Sequence, residues 1–332
     1  MTIMSHAGTI PIQRTIVDCL RISVTDRCNL RCVYCMPPEG VRQVPRRSLL
    51  RFEEITTVVR FLRDHYGLRT VRLTGGDPLV RRKIVALAGM LARLELADLA
   101  LTTNGQRLAS LARPLRHAGV GRVNISLDSL DPARYSRLTR GGRLDRTLAG
   151  IEAARAAGLH PIKINTVVLR GENDSEVCDL VQFAIGAGLE IRFLELMAIG
   201  VAAERYASWF VSSHEVRERL EARFRLIASD SSDGQRVRMC LAEASHGRST
   251  RIGFISPESE PFCASCHRLR LTSDGRLIAC LMHSTGPDLL PLLRDSNGPD
   301  CAALDRAIHA ALGAKPALRS DSSPRLMAGI GG

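Results

Sequence analysis

The stretch Asp26-Arg27-Cys28-Asn29-Leu30-Arg31-Cys32-Val33-Tyr34-Cys35-Met36-Pro37 sets three thiols within eight residues, directly after an apolar segment. A C-x3-C-x2-C run supplies three soft thiolate ligands, whereas closed zinc sites and ferredoxin-type clusters take four. Three leaves one position open. An iron of a 4Fe-4S cluster that lacks a protein ligand can bind a small molecule chelating through nitrogen and oxygen, and can pass it an electron. The competing reading is a zinc knuckle or a set of unrelated buried cysteines, and the surrounding chain has to decide.

Outward from that stretch the chain reads as repeated βα units. A strand candidate, Val17 to Val24, ends at Asp26, so the cysteine loop hangs from its C-terminal end. A helix follows Phe52, with Ile55, Val58, Val59 and Leu62 at i, i+3, i+4, i+7. Strand Thr70 to Thr74 leads through Gly75-Gly76-Asp77-Pro78 into a helix carrying Ile84, Leu87, Ala88 and Leu91. Strands near Asp98 to Leu101, Arg122 to Leu127, Ile162 to Val168 and Glu190 to Leu196 complete six units. Such alternation implies an α/β fold with a parallel sheet whose C-terminal strand ends share one rim, where barrels of this kind hold their chemistry. A doubly wound sheet has the same alternation. After about Ala198 the rhythm changes, and Ser229 to Gly234 reads as a linker or turn. The chain thus divides into 1–228 and 229–332.

The 332 residues, 45% of them hydrophobic, suffice for a large core. No apolar run approaches the roughly 18 residues of a membrane helix, and the N-terminus lacks the pattern of a signal peptide, so a cytoplasmic location is expected. Six of the ten cysteines fall in two tight groups, which fits metal ligation in a reducing compartment better than disulfides. Cys19, Cys178, Cys240 and Cys301 read as inert thiols. The net charge of +12 points to a polyanionic partner, and with only 4% aromatic residues a small phosphorylated ligand is favoured over single-stranded nucleic acid.

The second cysteine group is Cys263, Cys266 and Cys280, a C-x2-C-x13-C spacing. With His283 it also matches a Cys3His zinc site, and local spacing alone supports zinc and iron-sulfur equally. Arg268 and Arg270 alternate on the strand that follows, so both guanidiniums face the same way, as a triphosphate would require.

The string Cys28-x3-Cys32-x-Tyr34-Cys35 resembles the signature of radical S-adenosylmethionine (SAM) enzymes. Leu20-Arg21-Ile22-Ser23, the two cysteine groups and Cys266-His267-Arg268-Leu269-Arg270-Leu271-Thr272 resemble one branch of them, the GTP 3',8-cyclase (MoaA) family of molybdenum cofactor biosynthesis. The resemblance extends over nearly the whole chain. It implies an open, partial six-stranded TIM-like barrel with a C-terminal auxiliary-cluster region, and two 4Fe-4S clusters. Cys28, Cys32 and Cys35 would hold the cluster that cleaves SAM to a 5'-deoxyadenosyl radical; Cys263, Cys266 and Cys280 would hold one whose open iron faces guanine. SAM would lie at Tyr34, Gly76, Ser126 and Met197, and GTP at Arg21, Arg72, Thr103, Lys163, Arg268, Leu269 and Arg270. The radical would take the ribose C3' hydrogen, and C3' would then bond C8 of guanine to give 3',8-cyclo-7,8-dihydro-GTP. Gly331 and Gly332 match the family's double-glycine tail. A reduced electron donor and a downstream MoaC-type cyclic pyranopterin monophosphate synthase are the implied partners, and a homodimer is compatible with the family.

Lys163 has a reading of its own. Ile162 and Ile164 should face helices, which turns Lys163 into the barrel, where an unpaired ammonium would be costly and a phosphate would relieve it. Three positions depart from the family pattern: Asp77 stands where Glu is usual, Ala198 where Pro is usual, and His267 where Asn is common. Two other functions compete, a radical SAM peptide-modifying enzyme with an auxiliary cluster and a zinc-dependent nucleic-acid-binding protein.

Overall fold

A computed structural model of the chain describes residues 17–229, 237–244, 247–261, 266–282, 285–296 and 298–314. Its spine is six parallel strands in sequence order: β1 (Cys19–Ser23), β2 (Thr70–Thr74), β3 (Asp98–Thr103), β4 (Arg122–Ser126), β5 (Ile162–Val167) and β6 (Glu190–Leu194). Between them run α1 (Phe52–Tyr66), α2 (Ile84–Ala92), α3 (Leu108–His117), the pair α4 (Pro132–Thr139) and α5 (Leu144–Ala156), and α6 (Val177–Ala187). Each strand expected from sequence is present, and α1 buries the stripe Ile55, Val58, Val59 and Leu62. That helix ends at Gly67, whose φ of 67° is the left-handed conformation glycine adopts without a Cβ penalty.

Beyond α7 (Ala202–Trp209) and α8 (Ser213–Glu221) the chain returns to the same sheet. An antiparallel meander, β7 (Arg225–Ala228), β8 (Arg238–Glu243) and β9 (Ser249–Ile255), extends it, with β9 parallel to β6. At the opposite edge β10 (Arg268–Leu271) lies parallel to β1 and carries β11 (Leu277–Ile278) as an antiparallel hairpin. The order β11-β10-β1-β2-β3-β4-β5-β6-β9-β8-β7 leaves β11 and β7 as edges, so the barrel is open. Residue 229 falls in the connection between β7 and β8. α9 (Leu290–Leu293) and α10 (Cys301–Gly313) complete the described chain.

Two-residue alternation sorts the sheet into two unlike faces. Leu20, Ile22, Val71, Leu73, Leu101, Ile125, Ile164, Ile191 and Leu269 join the helix stripes in one continuous apolar core. Each such side chain contributes roughly 1.5–3 kcal/mol on burial. The residues between them face the inside of the open barrel, and these are mostly polar or charged. Register sets Arg270 beside Arg21 and Arg21 beside Arg72 across β10, β1 and β2. It also sets Asn124 beside Lys163 and Lys163 beside Glu190 across β4, β5 and β6.

Candidate active site

The cysteine loop is strapped down on several sides before any ligand is considered. Arg31 N and Val33 N donate to Thr139 O and Leu138 O, and Arg140 Nη1 to Met36 O at 2.8 Å. Tyr34 Oη donates to Asp128 Oδ2 at 2.6 Å, which fixes the aromatic before the last cysteine against the end of β4. Gly76 lies directly under the loop: a Cβ there would meet Arg27 O at 2.3 Å and Cys28 N at 2.8 Å. Only glycine lets the two backbones approach this closely.

Cys28, Cys32 and Cys35 carry no disulfide and line one cavity of about 220 Å³ together with Tyr34, Gly76, Thr103, Ser126 and Met197. The proposed SAM residues and the first cysteine group, scattered over residues 28–197, are therefore neighbours. Among the described residues no three His, Cys, Asp or Glu side chains stand close enough to ligate a single ion. Leu30 N (3.4 Å) and Asn104 Nδ2 (3.7 Å) donate to Cys28 Sγ, the kind of contact that tunes an iron-sulfur potential. Burial, with help from Asp77, pushes the Cys28 thiol up to about 11; burial raises Cys32 well above the ordinary thiol range. Both are neutral thiols without metal, and ligation displaces their protons.

Asp77, the shorter residue in the Gly-Gly-x-Pro turn, is fully enclosed by the protein. Its Oδ1 accepts from Leu79 N (2.9 Å), and its Oδ2 from Thr103 Oγ1 (2.7 Å) and Asn104 N (2.7 Å). Asp77 N in turn donates to Arg27 O at 2.9 Å. The side chain is a brace joining three loops, and its carboxyl is raised by burial. Thr103, expected on GTP, spends its hydroxyl on this brace and is 2% exposed. The threonine on the inner face is Thr102, whose Oγ1 accepts from Asn124 Nδ2 at 3.2 Å.

The remaining expected GTP residues lie along the inner face, outside the cavity. Arg21, partly buried, lies beside Arg270, Arg72 and Arg268; desolvation first, then those charges, lower it well below its ordinary value. Arg270 falls to about 10 through burial and Arg268, opposed by Cys280, Cys266 and Cys19. Leu269 is the exception in this set: its side chain sits in the apolar core, so only its backbone is on offer. Lys163 does point inward, at 9% exposure, but is ion-paired to Glu190 at 3.2 Å. A phosphate is therefore not needed to explain its burial.

The second cysteine group is partly described. Cys266 precedes β10, and the β10–β11 register, Arg270 opposite Ile278, carries Cys280 back to the same end. That is the N-terminal end of the parallel strands, opposite the rim that bears Cys28. The two cysteine groups thus lie at opposite ends of the parallel strands, where strand order alone pointed only to the C-terminal rim. Cys263, His283, Gly331 and Gly332 lie outside the described residues.

Sequence reasoning passed over several inward residues. Arg192, 3% exposed, and Asn165 both fall on the inner face. The signal was present in Glu190-Ile191-Arg192-Phe193-Leu194, where charge recurs at every second position of an apolar strand. Glu195 is another: it accepts from Ser213 N, Glu258 N, Ser259 N and Ser259 Oγ, tying the end of β6 to the segment ahead of the second cysteine group.

The fold and the cysteine cavity define a radical SAM protein, and comparison with known proteins agrees. The sequence profile of the Radical SAM superfamily matches residues 22–184, and that of Molybdenum Cofactor Synthesis C matches residues 189–320. The crystal structure of Streptococcus suis SuiB bound to S-adenosylmethionine shares the fold, with a TM-score of 0.58 at 18% identity over 85% of this chain and 66% of that one. A GTP 3',8-cyclase of Pseudomonas entomophila is 51% identical over 304 residues, 90% of this chain and 89% of its own. GTP 3',8-cyclase 1 of Pseudomonas aeruginosa is 49% identical over 302 residues, 91% and 90% of the two chains. The chain belongs to the GTP 3',8-cyclase family of radical SAM enzymes, and SAM and iron-sulfur chemistry come with that membership. No described helix is long and apolar enough to cross a membrane.

Proposed function

We propose that this chain converts GTP to 3',8-cyclo-7,8-dihydro-GTP in molybdenum cofactor biosynthesis. The observation that carries the reading is the arginine row Arg270, Arg21 and Arg72, which crosses three strands on the inner face between the two cysteine groups. Five-residue β1 spans about 17 Å at roughly 3.3 Å per residue, room for a nucleoside triphosphate between the two ends. Arg21 Nε is buried with no hydrogen-bond partner among the described residues, a donor that a phosphate oxygen would satisfy.

The donor sets divide the work. Cys28, Cys32 and Cys35 would hold the first 4Fe-4S cluster, and Tyr34, Gly76, Ser126 and Met197, which line the same cavity, would orient SAM. When bound, that cluster supplies the electron that cleaves SAM to a 5'-deoxyadenosyl radical, which takes the ribose C3' hydrogen. Cys263, Cys266 and Cys280 would hold the second cluster, which would offer an open iron to the guanine. Arg21, Arg72, Arg268 and Arg270 clamp the triphosphate, with Lys163 and the backbone at Leu269 beside it. Leu30, Val167, Leu194 and Leu196 give the cavity wall an apolar part that would exclude water. Residues 1–228 thus carry SAM chemistry and residues 229–332 carry the second cluster and the Gly331-Gly332 tail. The product would pass in the cytoplasm to a MoaC-type synthase.

The test is anaerobic reconstitution followed by incubation with GTP, SAM and dithionite. About eight iron atoms per chain and 5'-deoxyadenosine formed only with GTP are expected. One cluster's worth of iron with stoichiometric zinc, or 5'-deoxyadenosine no higher than in the GTP-free control, would overturn the reading.

A further inference from the structure

Glu195 is a buried carboxylate outside both cysteine groups and the proposed ligand contacts. It follows the last residue of β6, 5% exposed, between Leu194 and Leu196, and all three line the cysteine cavity with Met197. Strand β9 ends beside it, with Glu195 N donating to Ile255 O at 3.1 Å. Its Oε1 accepts from Ser213 N (2.8 Å), at the first residue of α8, and from Ser259 Oγ. Its Oε2 accepts from Glu258 N and Ser259 N, both at 3.0 Å. A carboxylate offers about four lone-pair sites, and four donors occupy them, so Glu195 is not itself a ligand for SAM. Those bonds and the positive end of α8 offset the cost of burying its charge.

The residues it gathers lead in two directions. On one side, Leu196 packs with Leu138 and Trp209 in a small apolar cluster against which Val33 and Tyr34 of the cysteine loop rest. On the other, Glu258 and Ser259 begin the run into Cys263 and Cys266. Glu258 is gripped a second time: its Oε2 accepts from Tyr206 Oη of α7 at 3.0 Å, and Tyr206 packs on the same small cluster. Cys266 is seven residues beyond Ser259, a reach of at most about 25 Å. Within that reach the chain joins the C-terminal end of β9 to the N-terminal end of β10. So short a tether, crossing the depth of the barrel, passes a shift at Ser259 on to the second cysteine group.

We propose that Glu195 is a positioning residue that couples the two sites. Nucleotide held toward the second cysteine group tightens the SAM cavity, and SAM tightens the nucleotide site by the same factor. The inference rests on the proposed GTP and SAM sites. GTP acts on Glu195 through the run from Glu258 to Cys266, and SAM acts on it through Leu196 and Met197. A hydrogen-bonded carboxylate packed between two segments is the kind of contiguous contact that carries such coupling.

The experiment compares the reconstituted holoenzyme with Glu195→Gln and Ser259→Ala. The glutamine amide turns an NH2 toward two of the four donors, and Ser259→Ala removes one bond at an exposed residue. Without reductant, SAM affinity is measured by anaerobic equilibrium dialysis with and without GTP, and GTP affinity with and without SAM, alongside iron per chain. In the natural protein each ligand should tighten the other about fivefold or more. In Glu195→Gln that factor should fall below about twofold, while iron content and the affinity for SAM alone hold. Ser259→Ala should lie between. With dithionite, Glu195→Gln should release more 5'-deoxyadenosine per cyclised product than the natural protein. Undiminished coupling in Glu195→Gln would overturn the proposal, as would GTP and SAM binding independently to the natural protein. So would weaker binding of SAM alone at full iron loading, because Glu195 would then shape the SAM site directly. If Glu195→Gln does not fold, Ser259→Ala decides: native coupling there overturns the proposal and reduced coupling supports it. Absence of GTP binding and of GTP-dependent 5'-deoxyadenosine formation in the natural protein counts against the cyclase reading itself, so failure of one is distinguishable from failure of the other.

Discussion

Replacing Asp77 by alanine should unfasten the cysteine loop from its neighbours. The carboxylate receives Leu79 N, Thr103 Oγ1 and Asn104 N at 2.7 to 2.9 Å, and it is 1% exposed, so water cannot take its place. At about 1–3 kcal/mol for each of the two buried donors left without a partner, with the Leu79 bond counted as a helix cap of about 1 kcal/mol, the loss is roughly 3–7 kcal/mol. Relief of the buried charge keeps it at the lower end. Asp77→Asn retains one acceptor oxygen and should cost about half as much. Asp77→Glu, the residue usual in the family, adds a methylene to a filled site and should cost about 1–3 kcal/mol. Urea denaturation under anaerobic conditions, followed by circular dichroism, gives the stabilities, and iron per chain reports the loop. The reasoning fails if Asp77→Ala keeps the natural midpoint and iron content. It also fails if Asp77→Asn loses SAM affinity at unchanged stability, because the carboxylate would then be a ligand and not a brace.

Other outcomes follow from the same geometry. Gly76→Ala forces a Cβ to within 2.3 Å of Arg27 O, so the loop must shift, and iron bound at the first site should drop while the circular dichroism spectrum stays native. Arg270→Ala and Arg268→Ala should each weaken GTP binding by roughly 1.5–3 kcal/mol, about 10- to 100-fold, with both clusters still loaded by iron analysis. Asp128 is raised by burial to about 6 despite bonds from Tyr34 and Val167 N, so the folded metal-free protein binds more protons than the unfolded chain between about pH 4 and 6. Stability from this group is present at the acid end of that window and is lost as pH rises through it. Relative to Asp128→Asn, the natural protein should therefore lose about 2 kcal/mol between those pH values by urea denaturation. Parallel curves would refute this.

The parallel strands and the first cysteine group were legible because both obey local rules, alternation along strands and ligand spacing along a loop. What escaped depended on contacts between distant segments. Thr103 read as a ligand residue because its motif matched, yet strand parity turns it toward Asp77, and no pattern within Thr102-Thr103-Asn104-Gly105 says which hydroxyl faces inward. Lys163 was placed correctly on the inner face, but its partner Glu190 lies on the next strand and only the register reveals it. The five strands from β7 to β11 are short or irregular in pattern, and β10 reaches the β1 edge only through a long return of the chain.

That return is also what makes the arginine row intelligible. Setting Arg270, Arg21 and Arg72 side by side on neighbouring strands violates the rule that like charges should not be paired across a sheet. It does so where desolvation already disfavours the guanidiniums of Arg21 and Arg270. Repulsion and burial within the row do not account for these residues. A bound polyanion does: it places negative charge where repulsion is greatest, and it can do so only if β10 closes against β1. The second cysteine group, at the far end of β10, would then fix that closure and the distance between the two ends in one step. Local rules broken without structural gain mark functional sites, and in this chain the breach and the proposed substrate site coincide.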